Sequence, residues 1–173
     1  MLTIKRLWIP LAAATLALAA LSALAQETSF SATMIGASEL PEPRDTKATG
    51  ELKLVLSPDG KKLSYTLTVS KIMNPSGADL HLGPATANGP LVVKLWPLNG
   101  AAPKKGEFSG VLAQGTIEAS DLIGPLAGSQ LSDLVEEIRA ADTYANVHTN
   151  DGLDPPNSGP GDYRLGEIRG QIQ

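Results

Sequence analysis

The chain has 173 residues, with 18 acidic side chains against 14 basic ones, two histidines and no cysteine. An acidic balance argues against nucleic acid or an anionic bilayer as the main partner. The missing cysteines exclude disulfides, thiolate metal sites and cysteine nucleophiles.

The N-terminus reads as an export signal. Lys5 and Arg6 supply the positive region, residues 8–21 are almost wholly apolar, and Ala23-Leu24-Ala25 is a small-x-small cleavage site. The apolar run falls short of the ~20 residues that a spanning helix needs. The expected organisation is a signal peptide over 1–25 and one domain over 26–173, placed in the periplasm or secreted. No membrane span is expected after cleavage. All 18 acidic and 12 of the 14 basic residues lie beyond residue 25, so the mature chain carries a net charge of −6.

Phe30, Ala32 and Met34 alternate and predict a first strand, and the Pro- and charge-rich stretch 39–48 predicts an exposed loop. Leu52, Leu54 and Leu56, then Leu63, Tyr65, Leu67 and Val69, alternate with polar residues on either side of Ser57-Pro58-Asp59-Gly60. Period two around turn chemistry predicts an antiparallel hairpin with one buried face. Asn74-Pro75-Ser76-Gly77 reads as another turn, 78–82 as a short strand, 83–90 as a loop and 91–98 as an apolar strand. Residues 107–117 read as one or two strands interrupted at Gly110 and Gly115.

The period then changes. Leu131, Leu134, Val135 and Ile138 form the stripe of an amphipathic helix over about 129–140, with Ser129 as its N-cap. Residues 143–149 return to strand, 150–162 form a loop dense in Gly, Pro, Asp and Asn, and 165–172 form a closing strand. This pattern predicts an all-β protein, an antiparallel β-sandwich or Greek-key barrel with one inserted helix.

Three segments resemble the chordin-type (CHRD) domain. They are the hairpin around Pro58-Asp59-Gly60, the run Asp79-Leu80-His81-Leu82-Gly83-Pro84-Ala85 leading into Asn88-Gly89-Pro90, and Tyr144-Ala145-Asn146-Val147-His148-Thr149 with Gly166-Glu167-Ile168-Arg169-Gly170. The resemblance implies an extracytoplasmic β-rich module with no established reaction in bacterial members. It also implies that Asp79 stands where the family often has the first histidine of a His-x-His pair, and that the loop 150–162 is lengthened.

Asp79 and His81 are two apart, so on a strand they share a face, with Cα atoms ~6–7 Å apart. Asn146 and His148 do the same. If the two strands are neighbours, Asp79, His81 and His148 offer one carboxylate and two imidazoles to a single ion. Zinc or copper suits such a set, and iron or nickel also accepts it. Asn146, Glu167 and Arg169 form the polar face beside it, with Arg169 expected to pair with Glu167 or Asp79 or else to bind an anion. Asp151, Asp154, Asn157 and Asp162 offer oxygens to Ca²⁺, but their spacing matches no EF-hand. No Gly-x-Ser-x-Gly elbow or phosphate loop is present, so the reading leans away from an enzyme. The expected function is a non-enzymatic binding or scaffolding module for an extracytoplasmic protein or small ligand. The alternatives are a metal-binding Cu/Zn protein with a redox-related role, and a surface adhesion or matrix component.

Overall fold

The computed structural model describes residues 28–97, 104–153, 155 and 158–173. The expected signal peptide, Leu98, Asp154, Pro156 and Asn157 lie outside them.

Eight antiparallel strands form one sheet: β1 (Ser29–Ile35), β2 (Thr49–Leu56), β3 (Leu63–Met73), β4 (Pro75–Leu82), β5 (Leu91–Trp96), β6 (Glu107–Ile117), β7 (Thr143–Thr149) and β8 (Ile168–Gln171). Their order across the sheet is β5-β4-β7-β8-β1-β2-β3-β6. The sheet rolls up until its two end strands approach, giving a nearly closed barrel, the second of the two expected architectures. Across the seam the Tyr65 hydroxyl of β3 donates to the Leu95 carbonyl of β5 at 2.7 Å. The Ile123 N–H, in the short turns that follow β6, donates to the Val92 carbonyl. An edge strand is thereby partly covered.

Period two does what the sequence predicts. Phe30, Ala32 and Met34 of β1, Leu52 and Leu54 of β2, and Leu63, Tyr65, Leu67 and Val69 of β3 all point inward and are buried. The helix α1 (Leu131–Arg139) adds Leu131, Leu134, Val135 and Ile138 to the same core. Its N-cap is Gln130, not Ser129. Asp133 three residues on accepts the Gln130 N–H at 3.0 Å, and this reciprocal capping fixes the start one residue later than expected.

Three further expectations need correcting. Residues 107–117 are one strand whose ladder with β3 shifts register beside Gly110; Gly115 does not break it, because it lies against the Tyr65 ring, where a Cβ would come within 3.0 Å. The closing strand is only 168–171, and Leu165 is exposed. The stretch 39–48 is not wholly exposed, since Glu39 and Ala48 are buried.

The expected turn 74–77 shrinks to a single corner residue. Pro75, Ser76 and Gly77 already belong to β4, and Asn74 alone turns the chain from β3 across the barrel. Its φ of 46° is in the left-handed region that Asn tolerates. Its side-chain oxygen accepts the Gly106 N–H at 2.8 Å, its amide donates to the Gly161 carbonyl, and its own carbonyl accepts from Asn150. One residue therefore ties its own corner to two loops, the one before β6 and the one after β7. Asn74→Ala is expected to lower the unfolding free energy by about 2 kcal/mol, and Asn74→Gly by less, because glycine restores the backbone conformation but not the side-chain bonds. Urea denaturation of both variants checks the size and the order.

Candidate functional site

The site is set by the register of β4, β7 and β8. His81 lies opposite Tyr144, which lies opposite Gln171, and Asp79 lies opposite Asn146, which lies opposite Arg169. Gly77 lies opposite His148. The alternate residues Ala78, Leu80, Ala145, Val147 and Ile168 face the core. The outer face of this wall is thus a polar grid, and three loops roof it, contributing Glu39, Asn88 and Gly161.

Asp79, His81 and His148 converge, with ligand-type atoms all within 4.8 Å of one another. The Nε2 of His81 is 3.0 Å from Asp79 Oδ1, and the Nε2 of His148 is 3.1 Å from Oδ1 and 3.2 Å from Oδ2. The other nitrogen of His81, Nδ1, donates to the Gly89 carbonyl at 2.9 Å. A neutral His81 ring in this tautomer carries its lone pair on Nε2, aimed at a carboxylate oxygen. Two acceptors at that distance need positive charge between them, either a ring proton or a cation. Burial disfavours the charged form of Asp79, but its hydrogen bonds to His148 and His81 outweigh this and bring it down to about 2. Burial also opposes charge on His148, yet the hydrogen bond and charge of Asp79 prevail and raise it.

Glu39 is the neighbour that sequence reasoning missed. It is 2% exposed. Burial lifts its carboxyl to about 7, against the pull of His148, Arg169 and Arg44 and of a hydrogen bond from Asn146. Nothing local in 39–48 signals this, because the pocket exists only once β7 and the 158–166 loop are in place.

The segment 166–170 resolves residue by residue. Gly166, at φ 134°, lets Asn146 and Glu39 close in, since a Cβ there would lie 2.6 Å from the Asn146 amide and 2.7 Å from Glu39 Oε1. Glu167 is fully buried, accepting from Thr46 Oγ1 and Thr149 Oγ1 at 2.6 Å each and from the Gly161 N–H at 2.8 Å. Gly170 admits β1, because a Cβ would sit 2.3 Å from the Thr33 carbonyl oxygen. Among the described residues no carboxylate is bonded to Arg169. It donates to Asn88 Oδ1 and to the Pro84 and Ala87 carbonyls, and its guanidinium lies 3.6 Å from the Tyr144 ring centroid. The expected pairing with Glu167 or Asp79 is corrected: Glu167 is held by hydroxyls and Asp79 by histidines, so loop carbonyls are left to satisfy the arginine. In the 150–162 loop, Asn150, Asp151 and Asp162 use side-chain oxygens to cap the Gly152, Leu153 and Ser158 N–H groups.

Barrel and grid together define an antiparallel β-domain that carries its polar chemistry on one loop-roofed wall. A family model for the CHRD domain matches residues 30–156, and the chain belongs to the CHRD-domain family. The match spans β1 to β7 and stops short of β8, which completes the grid. A search of curated proteins finds no match. No helix among the described residues is long and apolar enough to cross a membrane.

The carboxyl groups make stability depend on pH. Glu39 binds its proton more tightly when folded than the ordinary 4.5, so its contribution is complete below pH 4.5 and is lost as pH rises through about 7. His148 adds to the loss on the alkaline side, and Asp79 loses its contribution as pH falls from 3.8 towards 2. Glu39→Gln is expected to stabilise the metal-free protein by about 2–3 kcal/mol at pH 8 and by little at pH 4.5. Urea melts at the two pH values check this, and an equal effect at both would contradict it.

Proposed function

We propose that the protein is an extracytoplasmic, non-enzymatic binding module whose ligand is a divalent transition-metal ion held by Asp79, His81 Nε2 and His148 Nε2. The observation that carries this reading is the convergence of two imidazole nitrogens on one carboxylate. The His81 tautomer, with Nδ1 donating to the Gly89 carbonyl, is the arrangement that metal-ligating histidines adopt through their second nitrogen. Two nitrogens and one oxygen suit zinc or copper, and also Fe(II) and nickel; without a thiolate the set does not select Cu(I). Three protein ligands leave coordination positions open, and the ligand side chains are 16–18% exposed, so a small exogenous group has access. The basic start, apolar run and Ala23-Leu24-Ala25 of the first 25 residues support a place outside the cytoplasm.

The protein is expected to take up one ion per chain when the metal-free form is titrated with Zn²⁺ or Cu²⁺. His81→Ala and His148→Ala should each weaken binding by at least about 100-fold, beyond the roughly 10–100-fold that outer-shell changes cost. Elemental analysis and chelator competition measure both, with circular dichroism as the fold control. The reading fails if Zn²⁺, Cu²⁺, Ni²⁺ and Fe²⁺ all leave the wild type without stoichiometric metal, or if both folded variants bind as the wild type does.

A further inference from the structure

We infer that Arg169 is a positioning residue for this site, acting on His81 through the 84–89 loop and through Tyr144; the inference rests on the metal-site reading. Arg169 is 1% exposed and, among the described residues, bonds to no carboxylate. Its three bonds gather Pro84, Ala87 and Asn88 into one tight loop. The next residue in that loop is Gly89, whose carbonyl accepts the His81 Nδ1–H. Gly89 is itself pinned: its N–H donates to the Tyr144 hydroxyl at 3.1 Å, and a Cβ would come within 1.5 Å of the Leu82 carbonyl oxygen.

The second route is direct. Tyr144 lies under the Arg169 guanidinium and is stacked with His81, ring centroids 5.0 Å apart and planes 11° from parallel. His81 is thus fixed twice, at Nδ1 by a carbonyl and on its face by an aromatic ring, and both restraints run back to one arginine. The result is a closed circuit of Arg169, loop, Gly89, His81 and Tyr144 that holds Nε2 towards Asp79. A cation that only neutralised charge would not need this geometry. Lysine keeps the charge but lacks the planar fork that serves three acceptors and stacks on a ring.

The test uses Arg169→Lys and the milder Asn88→Ala in the full mature chain, with Zn²⁺ as the probe. Zn²⁺ affinity by chelator competition should fall about 10–100-fold in Arg169→Lys and by a smaller factor in Asn88→Ala. Independently of metal, the hydrogen-bonded Nδ1 proton of His81 should give a slowly exchanging imidazole NMR signal in the metal-free wild type, and Arg169→Lys should lose it. A folded Arg169→Lys protein that keeps both the signal and the wild-type affinity would overturn the proposal. If that variant does not fold, Asn88→Ala decides: unchanged exchange of the His81 proton would overturn it. A wild type that shows the signal but takes up none of Zn²⁺, Cu²⁺, Ni²⁺ and Fe²⁺, with the signal lost in Arg169→Lys, would sink the metal reading and leave the positioning role standing.

Discussion

The antiparallel register of β4 on β7 is the constraint on which the rest of the site depends. With Asp79 opposite Asn146 and His81 opposite Tyr144, these four residues and His148 share the outer face, while Leu80, Ala145 and Val147 face the core. A slip of one residue would bury Asp79 and His81 among aliphatic side chains and expose the leucine. The apolar core therefore specifies where the chemistry sits. The hydrophobic stabilisation of the inner face is of the usual kind, about 25 cal/mol per Å², and it holds the outer grid in place without contributing a ligand.

The outer grid is unusual for a barrel wall because it is not left to water. Asn146, Glu167 and Arg169 are all nearly or fully buried. Burying such groups is costly unless each is hydrogen-bonded, and the roof loops supply the partners. Thr46 and Gly161 come to Glu167, and Asn88 with the Pro84 and Ala87 carbonyls come to Arg169. The side chains of Glu167 and Arg169 thus act as pegs to which the loops are tied. The ties leave the Asp79–His81–His148 corner as the part of the wall that remains partly open to solvent.

Much of this was legible in the chain. Alternation located β1, β2, β3 and β7, the helical stripe located α1, and the two-residue spacings put Asp79 with His81 and Asn146 with His148 on shared faces. What the sequence could not supply were the partners. Alternation says that Arg169 and Glu167 share a face, but not that loops will cover it, so a pairing between oppositely charged neighbours was the natural and mistaken expectation. Glu39 was hidden for the same reason, since its burial arises from elements more than 100 residues away. Tyr144 could have been found, because it lies two residues before Asn146 and four before His148, on their face. Pro75 and Gly77 are turn residues by composition, and only the ladder with β7 shows that they are already strand, which leaves the corner to Asn74 alone.

In the proposed function the two imidazoles and the carboxylate act on one ion. X-ray absorption on the zinc- or copper-loaded protein tests this most directly, because it counts the ligand types around the metal. Two imidazole nitrogens at about 2.0–2.1 Å and carboxylate oxygen at about 2.0–2.2 Å are expected, with imidazole scattering diminished in His148→Ala. A shell of oxygen alone, or one unchanged by that substitution, would contradict it.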